Sequence, residues 1–376
     1  MSQVLLFHGL IDAAEPPAHV YVRDGDLQGA LDRAPAYATV VADRAATIEI
    51  ASTVRIGKPL TLIGLNARMK PGVGKTPMLL VAAEGVRIRD FLLEGNAASV
   101  PQEERAPLIE VRRGRFVIEN GEANRSSKDG VMITPVAETG DIEHGVIRNL
   151  TTRGSIRDSV SIGGGGDEKL FVRHLVVENI RGYGSRARGP VEVSDGSEYI
   201  TVRDVYAESC AYGVDVQDHN RKGQVNRFVI IDGVHVKDTP IAIRTANHDF
   251  GHDGLTIRNV SGTDWPSRTR FPLEIRNTRN VLVENVRIHA APGQFSMRVA
   301  NSANVTLRNL TFTECGHDGA ALVLDDVDNA LVDNVVVAGK AQPRIGVLYR
   351  IQSDRPFGGL RIHNVQAQEV RDAGIV

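Results

Sequence analysis

Residues 188 to 219 read RGPVEVSDGSEYITVRDVYAESCAYGVDVQDH, and the architecture can be worked out from this stretch. An alternating segment, Val191 to Ser194, is followed by a turn and a second alternating segment, Tyr199 to Arg203. The alternation returns at Val214 to Gln217. Apolar side chains at every second position are typical of half-buried strands. The stretch therefore predicts a coil of short strands.

The same pattern recurs along most of the chain, each time with an Asn, Asp or His at the end of an alternating segment. These residues are spaced 24 to 30 residues apart, and a fixed period of roughly 20 to 50 residues indicates a solenoid. Asn and Asp tolerate left-handed backbone angles, so they suit a corner. We predict an all-β fold, a right-handed parallel β-helix with the same corner in most turns. The predicted corner residues are Asp90, Asn120, Asn149, His174, Asp204, Asp232, Asn259, Asn285, Asn309, Asn334 and Asn364.

This repeat resembles that of the pectin-lyase-like superfamily of parallel β-helix proteins, over roughly residues 50 to 376. The resemblance implies the fold. The superfamily includes polysaccharide lyases, glycoside hydrolases, fructotransferases, sugar epimerases and phage tailspikes, so the fold by itself leaves the function open.

The repeat also sets the predicted domain organisation. We expect an N-terminal segment over residues 1–38 and one elongated β-helix domain over residues 39–376. Asp26 precedes Leu27, Ala30 and Leu31 at helical spacing, which predicts a short helix that caps the first turn. The last residues, AGIV, look like the start of a strand, and a second subunit would cover such an edge. A homo-oligomer is one expectation from this.

Composition excludes several classes of protein. Lys and Arg number 44 against 46 Asp and Glu, so the basic excess of a nucleic-acid-binding protein is absent. No apolar run approaches the ~18 residues of a membrane span. The N-terminus lacks the features of a signal peptide, which leaves a cytoplasmic protein or a secreted one whose signal was removed. The two cysteines, Cys210 and Cys315, are expected to be inward-facing free thiols. Neither a structural zinc site nor another cofactor is predicted.

Candidate functional residues follow from one strand of each turn, because its outward positions form columns along the coil. The predicted first column runs Met132, Ser161, Glu192, Asp215, Ala242, Glu274 and Arg298. The predicted second column runs Thr134, Gly163, Ser194, Gln217, Arg244, Arg276 and Ala300. Carboxylates and arginines concentrate in five consecutive turns, with Ala242 as a gap where a sugar could approach. Columns of alternating charge also occur as inert surface ion pairs.

Long loops surround this part of the columns. The loop at 262–271 holds Trp265, the only tryptophan, and the loops at 218–226 and 246–254 hold His219 and His248. An aromatic platform, histidines and convergent charges on a rigid face predict a substrate-binding site here.

The residues suit glycosidic cleavage of an oligo- or polysaccharide, as in a glycoside hydrolase or fructotransferase. This reaction needs two carboxyl groups, ~5 to 5.5 Å apart for retention or ~6.5 to 9.5 Å for inversion. Adjacent turns place Glu192 and Asp215 ~5 Å apart, and Asp215 and Glu274 ~9.6 Å apart. We predict Asp215 as the central catalytic residue, with Glu192 or Glu274 as its partner. The predicted substrate-binding residues are Arg244, Arg276, Gln217, His219, His248, Trp265 and Arg298.

Two alternatives stay open. A polysaccharide lyase or epimerase acting on uronates would use Arg244, His219 or His248 on the proton, with Ca²⁺ on Glu192 and Asp215. The segment YGVD, from Tyr212 to Asp215, resembles a YG-x-D segment of alginate epimerases. There the resemblance implies that Tyr and Asp belong to the active site, although Val216 and Gln217 replace the Pro-His that follows, and His219 is displaced. The other alternative is a non-enzymatic module that binds glycan.

Overall fold

The computed structural model describes residues 18–163, 169–185, 187–219, 224–246, 251–315, 318–341, 343–353, 358–368 and 370–376. The first elements are β1 (His19–Tyr21), α1 (Leu27–Arg33), β2 (Thr39–Val41), β3 (Ile48–Ile50), β4 (Val54–Ile56), β5 (Thr61–Ile63), β6 (Asn66–Met69), β7 (Leu79–Val81), β8 (Arg87–Glu94), a 3₁₀ turn (Gln102–Glu104) and β9 (Ile109–Val111). The middle strands are β10 (Phe116–Asn124), β11 (Val131–Ile133), β12 (Ile142–Arg153), β13 (Val160–Gly163), β14 (Val172–Tyr183), β15 (Val191–Ser194), β16 (Ser197–Glu208), β17 (Val214–Gln217) and β18 (Asn226–Lys237). The last are β19 (Ile243–Ala246), β20 (His252–Thr263), β21 (Leu273–Arg276), β22 (Thr278–His289), β23 (Met297–Thr313), β24 (Ala320–Ala338), β25 (Ile345–Arg350), β26 (Arg361–Ala367) and β27 (Ala373–Ile375).

All pairings between these strands are parallel, and each strand away from the two ends of the coil pairs with the equivalent strand one turn earlier and one turn later. The fold is an all-β parallel solenoid of about 12 turns with almost no helix. This confirms the predicted fold class. No helix within the described ranges is long and apolar enough to cross a bilayer.

The core is a set of stacked apolar columns inside the coil. Val191, Val214, Ile243, Leu273 and Met297 pair in register on successive turns, and all are buried. Each of these turns adds one apolar residue to this column, so its hydrophobic stabilisation is spread along the coil.

The predicted helix is present at the N-terminal end. The Asp26 carboxylate accepts a hydrogen bond from the Gly29 amide at 2.9 Å, and Leu27, Ala30 and Leu31 are buried. Strand β1 lies before residue 39 and pairs with β2, so paired strands flank this helix.

The two cysteines are buried and free, as predicted. The second subunit over the C-terminal edge stays a prediction.

The Asx corner exists, and two of its predicted members are wrong. Strand register pairs Asn149 with Asn179 rather than His174, and Asp204 with Gly233 rather than Asp232. The alternating segments on both sides of Asn179 are apolar, so periodicity alone did not distinguish the two positions. His174 occupies a second left-handed corner of the same long strand, with a φ of 57°.

Candidate functional site

Five strands bring the predicted charged residues into one column. Glu192 on β15 pairs with Asp215 on β17, Asp215 with Arg244 on β19, and Arg244 with Glu274 on β21. Glu274 pairs in turn with Arg298 on β23. Adjacent side chains in such a column lie ~4.8 Å apart at the backbone. Two carboxylates are therefore adjacent at Glu192 and Asp215, and from Asp215 onwards carboxylates and guanidinium groups alternate.

The place of Arg244 corrects the predicted columns. Arg244 lies in the first column between Asp215 and Glu274, where Ala242 was predicted, and Ala242 is buried. The predicted gap does not exist. A shift of two residues keeps the alternation of a strand, so the sequence pattern fits either register. On β19 the inward position that follows Arg244 is occupied by Thr245, which pairs with Val216. The Thr245 hydroxyl donates a hydrogen bond to the backbone carbonyl of Arg276 at 3.1 Å.

The two central carboxylates point away from the apolar core, yet they are not on the solvent-facing surface that the sequence predicted. Glu192 is 1% exposed and Asp215 is 0% exposed. Residues from the turns that precede the strands cover them, so the carboxylates form the floor of the site rather than its surface.

Sequence reasoning missed these covering residues, except for Tyr212, which the YGVD resemblance had indicated. Arg157 and Arg188 lie over Glu192, and the Tyr212 hydroxyl donates to Asp158 Oδ1 at 2.7 Å. Asp129 lies one turn before Asp158 and is also buried. The signal that could have identified them is their common position: each lies two or three residues before the strand of its turn.

Glu192 is held by four donors. They are Arg157 Nη2 at 3.2 Å, Ser161 Oγ at 2.9 Å, Arg188 Nη1 at 2.8 Å and the Gln217 side-chain amide. Each of the two carboxylate oxygens accepts two of these hydrogen bonds. The Glu192 side chain is therefore held in one position beside Asp215.

Asp215 has a different environment on the next strand. Its Oδ2 accepts a hydrogen bond from Arg244 Nη2 at 2.8 Å, and its Oδ1 has no hydrogen-bond partner among the described protein atoms. Burial raises the pKa of Asp215 to about 6, with the negative charge of Glu192 acting in the same direction against the guanidinium of Arg244. The carboxyl therefore changes protonation close to neutral pH.

Two further carboxyls next to this pair are shifted in the same direction. Burial raises the pKa of Asp129, and it raises the pKa of Asp158 further because Glu192 and Asp129 are close. Burial also raises the pKa of Tyr212. Tyr212 therefore carries its proton at neutral pH and acts as a hydrogen-bond donor to Asp158.

His219 lies at the edge of the site and is connected to it. Its Nδ1 lies 2.6 Å from Asp195 Oδ2, and its Nε2 lies 3.1 Å from the Gln217 side-chain nitrogen. The hydrogen bond to Asp195 raises the pKa of His219. Because Gln217 also contacts Glu192, His219 is joined to the central carboxylate through one side chain.

The C-terminal part of the column is more open. Glu274 is half-buried, and its Oε1 lies 3.1 Å from Arg298 Nη1. Arg298 also contacts the buried Asp325 through its Nε at 2.8 Å. Arg276 lies two residues beyond Glu274, in the second column, and is half-buried as well.

Trp265 is not the aromatic platform that the sequence predicted. Its ring is 8% exposed and packs on Gly262, where an added Cβ would come within 2.3 Å of it. The ring therefore closes the core beneath its own loop. His248 lies outside the described residues.

Among known proteins, similarity to this chain is found in solved structures and not in sequence. No family model matches the sequence, and no curated protein matches it. Among solved structures, the A-module of a mannuronan C-5 epimerase from Azotobacter vinelandii is similar, with a TM-score of 0.60, 15% identity, and 93% of this chain and 92% of that one covered. A family 28 exopolygalacturonase from Yersinia enterocolitica has a TM-score of 0.65 at 10% identity, covering 93% and 78%. An alginate lyase has a TM-score of 0.63 at 10% identity, covering 96% and 88%. The chain thus has the parallel β-helix fold of these neighbours.

Proposed function

We propose that the protein is a carbohydrate-active enzyme that cleaves glycosidic bonds of an oligo- or polysaccharide, with Asp215 as the proton donor. The observation that carries this proposal is the setting of Asp215. It is a buried carboxyl with a pKa of about 6, one oxygen held by Arg244 and the other without a hydrogen bond. A carboxyl that keeps its proton up to about pH 6 can protonate the oxygen of a leaving sugar.

Glu192 and Glu274 have different roles in this proposal. Glu192 is in contact with two guanidinium groups and is almost completely buried, so it is a poor nucleophile. Burial raises the pKa of Asp215, and the charge of Glu192 adds to that effect. Glu274 lies two strands from Asp215, which is ~9.6 Å at the backbone. This spacing suits the water-activating base of an inverting hydrolase.

The substrate has to reach a carboxyl that is covered in the free protein. Arg188 Nη1 lies 3.9 Å from Asp215 Oδ2, and Arg244 lies on the other side. The side chains of Arg188 and Arg244 are about one quarter to one third exposed, so a sugar can displace them by rotation about side-chain bonds. Their guanidinium groups would then be free to bind substrate hydroxyl or carboxylate groups.

A uronate lyase or epimerase is the second candidate, and the layer of Arg157, Arg188 and Arg244 favours it. Guanidinium groups over the site can neutralise the carboxylate of a uronate before proton abstraction. The names of three structural neighbours, an epimerase, an exopolygalacturonase and an alginate lyase, support a glycan as the substrate class. A Ca²⁺ ion at Glu192 and Asp215 would need to displace the arginines from both carboxylates.

One experiment separates these reactions. The protein is incubated with a panel of neutral and uronate-containing glycans, and reducing ends and the absorbance of unsaturated uronate are both followed. Reducing ends without absorbance support hydrolysis, and both signals together support a lyase. Loss of polymer with few reducing ends indicates a transferase, and a changed uronate composition without cleavage indicates an epimerase. No change in any glycan would contradict the proposal, and glycan binding would then favour a binding module.

A further inference from the structure

A cavity of about 460 Å³ lies on the same face as the charged column, towards the C-terminal end. Its lining includes Arg270, Phe271, Phe295, Arg298 and Arg350. Register along the column places Arg298 three strands beyond Asp215, ~14 Å away at the backbone. The cavity is therefore separate from Asp215 and in line with it.

Two phenylalanines form one wall of the cavity. Phe271 and Phe295 each lie two residues before the strand of their turn, and their rings stack with centroids 5.7 Å apart and planes 8° apart. Both rings are half-buried. The guanidinium of Arg298 lies 5.7 Å from the Phe271 ring, and that of Arg350 lies 5.9 Å from the Phe295 ring. The wall presents apolar ring edges beside fixed cations.

A buried carboxylate orients two of the arginines. Asp325 is 2% exposed and accepts hydrogen bonds from Arg298 Nε at 2.8 Å and from Arg350 Nε and Nη2 at 2.6 and 2.9 Å. These contacts occupy Nε and Nη2 of Arg350 and Nε of Arg298, whose Nη1 donates to Glu274 at 3.1 Å. Arg298 Nη2 and Arg350 Nη1 make no hydrogen bond within the described part of the chain, so each arginine keeps a donor for a ligand.

The lining carries more positive than negative charge. Arg270 is exposed and takes part in no ion pair among the residues that the structure describes, while its guanidinium lies 5.8 Å from the Phe271 ring. Asp318 is the acidic residue of the lining, and it lies 3.2 Å from Arg371. Planar guanidinium groups held in fixed orientations bind carboxylate and sulfate oxygens through paired hydrogen bonds.

From these contacts we propose that the cavity is a subsite for a negatively charged sugar residue, carboxylated or sulfated. The apolar ring edges would contact the C–H groups of the sugar, and the arginines would bind its anionic group. The inference rests on the proposed function, because it takes the ligand to be part of the glycan that also reaches Asp215. The distance between the two places requires an oligosaccharide that spans several turns.

The test is a binding measurement in the Asp215→Asn background, where no turnover consumes the ligand. Isothermal titration calorimetry is run with a uronate hexamer, its carboxyl-reduced counterpart and a sulfated neutral hexamer. Arg270→Ala should weaken binding of the charged hexamers about tenfold, since a hydrogen bond to a charged group contributes about that much. Phe295→Ala should weaken it by a similar factor. Arg268→Ala, an exposed arginine two residues away in the same loop, is the matched control and should bind as the parent does.

The carboxyl-reduced hexamer should bind about tenfold or more weakly, and Arg270→Ala should not change its affinity further. Equal affinity for charged and reduced hexamers, or no binding of any hexamer, would overturn the subsite. The proposed function fails separately. Cleavage of a neutral glycan with no dependence on Arg270 removes only the subsite. Arg270-dependent binding of a charged hexamer that the parent protein does not modify removes only the enzyme proposal.

Discussion

Two stacks of polar residues run along this solenoid, and they differ in almost every property. The corner stack consists mostly of Asn: the Asn309 amide donates to Asn285 at 3.1 Å, and the Asn334 amide donates to Asn309 at 2.9 Å. These residues are exposed and have left-handed backbone angles. The charged column changes residue at every turn, and its central members, Glu192 and Asp215, are buried.

The difference follows from hydrogen-bonding chemistry. An Asn side chain contains both a donor and an acceptor, so identical residues can bind one another without limit. Ionised carboxylates contain only acceptors, so Glu192 and Asp215 need arginines from neighbouring turns. The repeated Asn side chains therefore stabilise the coil by bonding one another. The charged column, which does not repeat one residue, brings together carboxylates and arginines.

The largest effect should come from the centre of the column. If an active glycan is found, Asp215→Asn should lower kcat by a factor of about 10³, because a general acid contributes between about 10² and 10⁴. Asp253→Asn is the matched control, since Asp253 accepts a hydrogen bond from Asn280 at an exposed corner. Kinetics on the substrate, with circular dichroism to check folding, provide the measurement. Full activity of Asp215→Asn would refute its role.

A second prediction compares two carboxylates that each bind two arginines. Glu192→Gln removes the buried carboxylate that Arg157 and Arg188 both contact, and breaking such a buried pair costs about 3 to 5 kcal/mol in the free energy of unfolding. Glu284 binds Arg258 and Arg308 on an exposed face, so Glu284→Gln should cost at most about 1 kcal/mol. Urea unfolding of both variants measures the difference. Equal losses would mean that burial does not distinguish the two pairs.

The third prediction concerns pH. The pKa of Asp215 is raised from 3.8 to about 6, so the folded protein binds this proton more tightly than the unfolded chain. The stabilising effect of that proton is complete below pH 3.8 and is lost as the pH rises towards 6. At about 1.4 kcal/mol per pH unit, the loss is up to roughly 3 kcal/mol, and Asp215→Asn should lack it.

Unfolding free energies of both proteins between pH 4 and 7 check this dependence. Activity should fall above about pH 6, because the proton donor is then ionised. A wild-type stability that changes with pH in parallel with that of Asp215→Asn would mean that Asp215 has an ordinary pKa.

The smallest effect is expected in the corner stack. Asn309→Ala removes two side-chain hydrogen bonds. It also places alanine, which has a Cβ but no hydrogen-bonding side chain, at a backbone φ of 57°. We expect a loss of about 2 kcal/mol, since the left-handed conformation costs an ordinary residue about 1 to 2 kcal/mol. Asn309→Gly keeps the backbone angle accessible and should cost about 1 kcal/mol. A larger loss for Gly than for Ala would show that backbone strain is not the main term.

The sequence alone was sufficient for the coil, its period and most corner residues. Each turn repeats the same local requirements: alternating apolar positions for the core and an Asx residue where the backbone is left-handed. The pairing of Glu192 with Asp215 also followed, because both lie at the same point of adjacent repeats. These are properties of one turn and its neighbour.

The tertiary structure alone decided what surrounds those residues. Arg244 instead of Ala242 lies beside Asp215 because β19 pairs two residues further along than its pattern suggests, and alternation cannot detect such a shift. The cover of Arg157, Arg188 and Tyr212 comes from turns of irregular length, which carry no periodic signal. Burial under that cover raises the pKa of Asp215, and burial depends on contacts between distant segments that no local pattern encodes.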